Sequence, residues 1–246
     1  MNIFYRLSVI LSIVFWGLPC YSQSVSGKMR GHDYVDLGLP SGIKWATCNV
    51  GATKISDSGD YFAWGENETK EKYGWSTYQF SSGELDSLRK YCCTNEFGIV
   101  DNKKNLDTND DVCTATWGKK WRMPSIKELE ELISNCHWEW SNDFEGSGKA
   151  GQVGTSQRNG NRIFFPASGQ RYEAKYAWAQ FPKDFSIPIV DTPNAVEFEG
   201  EFGGYWSSSL CVEKSKGAFL MNVSKYDVEC DVAQRCIGHS VRGVCE

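Results

Sequence analysis

Only one stretch of this chain holds a helical hydrophobic period without ambiguity. Between Trp117 and Trp140, the residues Ile126, Leu129, Leu132, Ile133 and Cys136 fall on one helical face, and Lys127, Glu128, Glu130, Glu131 and Ser134 on the other. Pro124 stands just before Ser125, and Glu128 follows Ser125 by three, so a capping box predicts where the helix starts. Trp117, Trp121, Trp138 and Trp140 bracket it, which predicts large rings closing the core it packs against.

Elsewhere the pattern is that of short strands and turns. Residues 34–39 and 43–48 read as a hairpin around Pro40-Ser41-Gly42, and residues 60–64 as a buried aromatic strand. The turn Asn159-Gly160 leads into an apolar strand over 162–166. Three closing strands are predicted over 205–210, 217–223 and 236–244, with a charged loop over 225–235 between the last two. Residues 66–105 read as a polar insertion over the surface, with a weak helical period over 84–91. A short helix is expected over 110–117, and a long proline-broken loop over 170–204. This is an α+β layout without strand–helix–strand alternation, so a doubly wound sheet is not expected.

The first 22 residues change the setting. Arg6 is their one charged side chain, and residues 7–18 form an apolar run broken by Ser8, Ser12 and Gly17. A membrane-spanning helix needs about 20 apolar residues, so the run reads as a signal peptide with cleavage after Ser22. Acylation of Cys20 as a lipid anchor is the alternative, but Pro19 stands where such signals carry a small residue. Residues 23–32 then read as a flexible leader, and 33–246 as a single domain. Loss of Arg6 moves the net charge from −5 to −6, and no basic block appears, which excludes nucleic acid and anionic membrane surfaces as expected partners. Of ten cysteines, nine remain after cleavage, so disulfides are expected with at least one thiol left over. Cys211, Cys230, Cys236 and Cys245 crowd the last strands and are expected to pair among themselves.

Candidate chemistry is sparse. Asp107, Asn109, Asp110 and Asp111 miss the EF-hand spacing, and capping of the next helix is the preferred reading. Ser141-Asn142-Asp143 follows Trp140 without the paired motif that a sugar-binding calcium site needs. Cys230, Cys236, His239 and Cys245 match no common zinc module. Ser240 beside His239 does not form a hydrolase pair, because strand neighbours point to opposite faces. Gly148-Lys149 lacks the serine or threonine of a phosphate loop. No cofactor or metal is expected. The positive case is aromatic: Tyr172, Tyr176, Trp178 and Phe181 in the long loop, and Lys225, Tyr226 and Asp227 in the charged one, as sugar-stacking rings with polar neighbours.

Several strings, in order, resemble a known family. They are Tyr34-Val35-Asp36-Leu37-Gly38-Leu39-Pro40-Ser41-Gly42, Lys44-Trp45-Ala46-Thr47-Cys48-Asn49-Val50-Gly51-Ala52 and Tyr61-Phe62-Ala63-Trp64-Gly65-Glu66. Leu106-Asp107 with Asp110-Asp111, Trp117-Gly118 with Trp121-Arg122-Met123-Pro124, and Ile163-Phe164-Phe165-Pro166-Ala167 follow. Gly204-Tyr205-Trp206-Ser207-Ser208-Ser209 and Ser240-Val241-Arg242 complete the set. Over residues 33–246 the chain resembles the Fibrobacter succinogenes major paralogous domain, common in exported proteins of Bacteroides-type bacteria. The resemblance implies a C-type-lectin-like fold, distantly related to the formylglycine-generating enzymes, at the cell surface, in the periplasm or outside the cell. The 170–204 segment is longer than the family's usual link, and Cys211, Cys230, Cys236 and Cys245 are additions. The expected function is non-catalytic binding of a glycan or protein through the later loops, with adhesion as its setting. An assembly role in an envelope complex is the alternative, and an enzyme on a formylglycine-enzyme-like fold the second alternative.

Overall fold

A computed structural model describes residues 22–84, 86–173 and 195–246. Among the described residues the architecture is α+β: three small antiparallel sheets and few helices. The first sheet has the order β1 (Gly27–Met29), β2 (His32–Val35), β3 (Lys44–Ala46) and β10 (Val244–Cys245), so the last strand joins the sheet of the first three by pairing with β3. The second is β4 (Cys136–Ser141), β5 (Gly151–Ser156) and β6 (Arg162–Pro166), and the third β7 (Phe202–Leu210), β8 (Gly217–Ser224) and β9 (Val228–Gln234). Two helices, α1 (Val112–Trp117) and α2 (Ile126–Asn135), lie between the first two sheets in the chain. Among the described residues no helix is long and apolar enough to cross a membrane.

The capping box forms as its residue types require. Ser125 Oγ accepts from Glu128 N, and the Glu128 carboxylate accepts from Ser125 N at 2.7 Å. Arg122 holds that carboxylate with two nitrogens, at 2.6 and 2.8 Å. Burial raises the Glu128 pKa, but the Arg122 and Ser125 hydrogen bonds outweigh it and leave the group below its ordinary value. Leu129 and Leu132 are fully buried, with Ile133 packed beside them. The helix ends one residue early, because Cys136 is already extended and opens β4.

The tryptophans divide between two cores. Leu129 and Leu132 pack with Trp45, Phe165 and Tyr205, and Trp138 flanks that cluster. Trp117 and Trp121 belong instead to a cluster with Trp64 and Trp206. The region over 66–105 is not a surface layer: Tyr73, Trp75, Tyr78, Leu88 and Cys92 build a third cluster with Tyr61 and Cys236. No helix forms among its described residues over 84–91. Serine hydroxyls bond the local backbone there, with Ser81 and Ser87 both donating to Glu84 O, and Tyr91 takes a left-handed φ of 56°.

Four further expectations are corrected. Residues 228–234 are a strand, β9, whose alternating charges sit on an edge, so the charged loop shrinks to a turn. Residues 236–244 are not one strand: three residues make isolated bridges, Gly238 to Arg171, His239 to Phe62 and Ser240 to Tyr205, before β10 begins at Val244. Residues 60–64 likewise make one bridge and not a strand. The leader is structured, since Gln23 and Ser24 bond β6 and residues 27–29 form β1.

The nine described cysteines are free thiols. Cys211, Cys230, Cys236 and Cys245, expected to pair, carry no bond to one another in this structure, and Cys230, Cys236 and Cys245 lie in or against three different clusters. Burial pushes the Cys136 and Cys236 thiols up to about 12, so they pack as small apolar side chains.

Candidate binding site at the β8–β9 turn

The β8–β9 hairpin closes over residues 224–227, between the paired Val223 and Val228. Ser224 organises the turn: its N donates to Asp227 O at 2.9 Å, and its hydroxyl accepts from Tyr226 N and Asp227 N while donating to Asp227 Oδ1 at 2.6 Å. A fixed tip therefore presents Tyr226, which is 92% exposed, flanked by the exposed Lys225 and Asp227. An aromatic ring that far into water has no packing role in the chain that carries it.

The second sheet adjoins this tip. Gln152 Nε2 donates to Ser224 O at 2.6 Å, and Gln152 is the register partner of Trp140 on β4. Directly paired residues share a sheet face, so Trp140 lies on the face that meets the turn. It is half-buried, and its Nε1 donates to Asn142 Oδ1 at 2.9 Å. Asn222 Nδ2 bonds Asp231 at 3.3 Å, and the exposed Glu229 lies opposite Asn222. Desolvation, and then the Asp227 and Asp231 charges, push the Glu229 carboxyl up. Trp140 thus lies on the face of the second sheet that Gln152 joins to the turn, while the acceptor oxygens of Asp227, Glu229 and Asp231 belong to the hairpin itself.

Of the residues singled out from sequence, Lys225, Tyr226 and Asp227 form this tip. Tyr172 is half-buried against the third cluster, where Tyr73 and Trp75 lie, so its ring covers core. Tyr176, Trp178 and Phe181 lie outside the described residues. Trp140, Gln152 and Ser224 were missed as site residues. Only the long-range strand pairing brings them to the turn, and no local motif signals that.

The other clusters have structural partners. Asp111 caps α1 through Thr114 N and also accepts from Met123 N, as the capping reading required. Asp110 accepts from Lys90 and Tyr91, and Asp107 pairs with Lys90 and Lys103. Asn142 serves Trp140, Asp143 accepts from Gly148 N, and Lys149 pairs with Glu199. Ser240 Oγ donates to Ser58 O and bonds Ser168 Oγ. Among the described residues no three histidine, cysteine, aspartate or glutamate side chains converge as a metal requires.

His239 is fully buried, edge-on to Trp206, with the Gly204 backbone so close that a Cβ there would lie 2.3 Å from Nδ1. Neither ring nitrogen has a partner among the described residues, and burial lowers its pKa to about 3. The depressed value means the unfolded chain binds the proton first. Stability from this group is complete above its unfolded pKa of about 6.5 and is lost as pH falls toward 3. Urea melts between pH 7 and pH 4 should show a loss of up to ~1.4 kcal/mol per pH unit from this group. His239→Asn should flatten that part of the slope, and an unchanged slope would place the acid sensitivity elsewhere.

No protein-family model, curated protein or solved structure matches this chain.

Proposed function

We propose that this chain is an exported, non-catalytic binding domain of C-type-lectin-like fold, akin to the Fibrobacter succinogenes major paralogous domain, which holds a glycan at its β8–β9 turn. The observation that carries the reading is Tyr226: a ring 92% exposed on a turn fixed by Ser224. The apolar face of a pyranose stacks on such a ring, while Asp227, Asn222 and Asp231 offer acceptors and a donor for its hydroxyls. The signal-like first 22 residues and the net negative charge fit a role at the bacterial surface. The ordered run of family strings supports the same fold.

Tyr226→Ala removes the ring without touching the Ser224 hydrogen bonds, which involve backbone and Asp227. Its stability should stay within about 0.5 kcal/mol of the parent, because the ring contributes no burial. Glycan affinity should fall at least tenfold, read by titration against the tightest ligand of an array. Affinity for a protein from the same surface, with no glycan bound, would replace the glycan reading by a protein-binding one.

A further inference from the structure

The N-terminal residues are built into the fold at the point where processing is expected to release them. Ser22 is exposed, and Gln23 immediately after it is buried. The Gln23 amide fills a slot on the edge of β6: Nε2 donates to Arg162 O and to Ser24 O, both at 2.9 Å, and Oε1 accepts from Phe164 N at 2.7 Å. Ser24 extends the ladder, its N donating to Arg162 O at 3.0 Å and its hydroxyl accepting from Arg162 N at 2.8 Å. The backbone N of Gln23 donates to Glu145 Oε1 at 2.9 Å. That carboxylate stands on a residue held left-handed, at φ 52° and ψ 29°, a conformation unfavourable for a side chain of this kind. Phe144 anchors it by stacking on Phe164, with centroids 3.8 Å apart and planes 3° from parallel. Strained backbone maintained at one residue points to a task for its side chain.

We infer that Glu145 and the β6 edge form a receptor for the new amino terminus of the processed chain, with Gln23 as its first residue. Hydrolysis of the Ser22–Gln23 peptide bond adds one water, leaving a carboxylate on Ser22 and an ammonium on Gln23. That ammonium takes the place of the amide N–H opposite Glu145, so a hydrogen bond from a neutral donor to the carboxylate becomes an ion pair. A first-position glutamine ordinarily cyclises: its amine attacks its own side-chain amide carbon and ammonia leaves. Here the side-chain amide is tied to Arg162, Ser24 and Phe164, so the docked terminus stays open. The inference rests on export with cleavage after Ser22. It is independent of what the β8–β9 turn binds.

The test begins with the full chain expressed in an exporting bacterial host and recovered from the envelope. Terminal sequencing and intact mass should give a chain starting at Gln23 that keeps its ammonia. A chain starting elsewhere, acylated at Cys20, uncleaved or cyclised at Gln23 would overturn the inference. Two variants then examine the ion pair: Glu145→Gln, and a precursor with one alanine inserted between Ser22 and Gln23. Each should lower the melting temperature at pH 7 by about 1–3 °C. Combined they should lower it no further than one alone, because both remove the same pair. An amino group paired with a carboxylate has a raised pKa, so its stabilisation is complete below about pH 8 and is lost at higher pH. The difference between parent and Glu145→Gln should therefore close above pH 10. Additive effects, or a difference that persists there, would contradict an ammonium opposite Glu145.

Discussion

Replacing Arg242 by methionine should cost on the order of 3–5 kcal/mol, a large part of the about 5–15 kcal/mol that holds a domain of this kind together. The guanidinium is fully buried and acts as a hub between three parts of the chain. Nε donates to Asn49 Oδ1 at 2.7 Å, Nη1 to the carbonyls of Ala46 and Thr47 at 3.1 and 3.0 Å, and Nη2 to Phe164 O at 3.1 Å. Its carbon lies 4.6 Å from the Phe165 ring centroid, so the charge rests on carbonyl dipoles and a ring face. Methionine fills much of the volume but leaves three backbone carbonyls and the buried Asn49 amide oxygen short of a donor, each worth about 1–3 kcal/mol where no other donor replaces it. Lysine keeps the charge without the fork and should recover only part of the loss. Urea denaturation read by tryptophan fluorescence measures both. A cost below about 1 kcal/mol for Arg242→Met would show that water replaces the guanidinium, and the hub assignment would fall.

Leu129→Ala should cost on the order of 2–5 kcal/mol, with Leu132→Ala in the same range. Both side chains are fully buried among Trp45, Phe165, Tyr205, Met221 and Val223, which come from four strands and cannot all collapse into the cavity. Ile133→Ala on the margin of the same face should cost less, since that side chain is only partly buried. The order of the three measured losses checks the prediction. A loss below about 0.5 kcal/mol at Leu129 would mean that α2 is peripheral.

What could be read from the sequence follows the range of the interactions. The α2 cap is written within four residues, Ser125 to Glu128, and its start was legible to the residue. The strand at β6 was legible because Asn159-Gly160 forces a turn just before it, and Gly160 does take a left-handed φ of 75°. By contrast, β9 carries Glu229 and Asp231 on an exposed edge, so its composition resembles a loop, and only pairing with β8 makes it a strand. Residues 236–244 look like a strand from Ile237, Val241 and Val244, yet Gly238, His239 and Ser240 bridge to three separate partners. Residues 23–32 looked flexible for the same reason in reverse, since the order of Gln23 and Ser24 comes from β6, far along the chain. At the candidate site, Tyr226 was visible as an aromatic between charges. The fixed turn beneath it and the approach of Gln152 with Trp140 depend on contacts no local pattern encodes.

The binding role of the β8–β9 turn is tested most directly by a glycan array probed with the exported protein and its Tyr226→Ala variant, melting temperatures measured on both. The expected result is a defined set of glycans bound by the parent and lost by the variant at unchanged melting temperature. Glycan binding that survives the substitution intact, or a parent that binds none of the array, would contradict a sugar site at Tyr226.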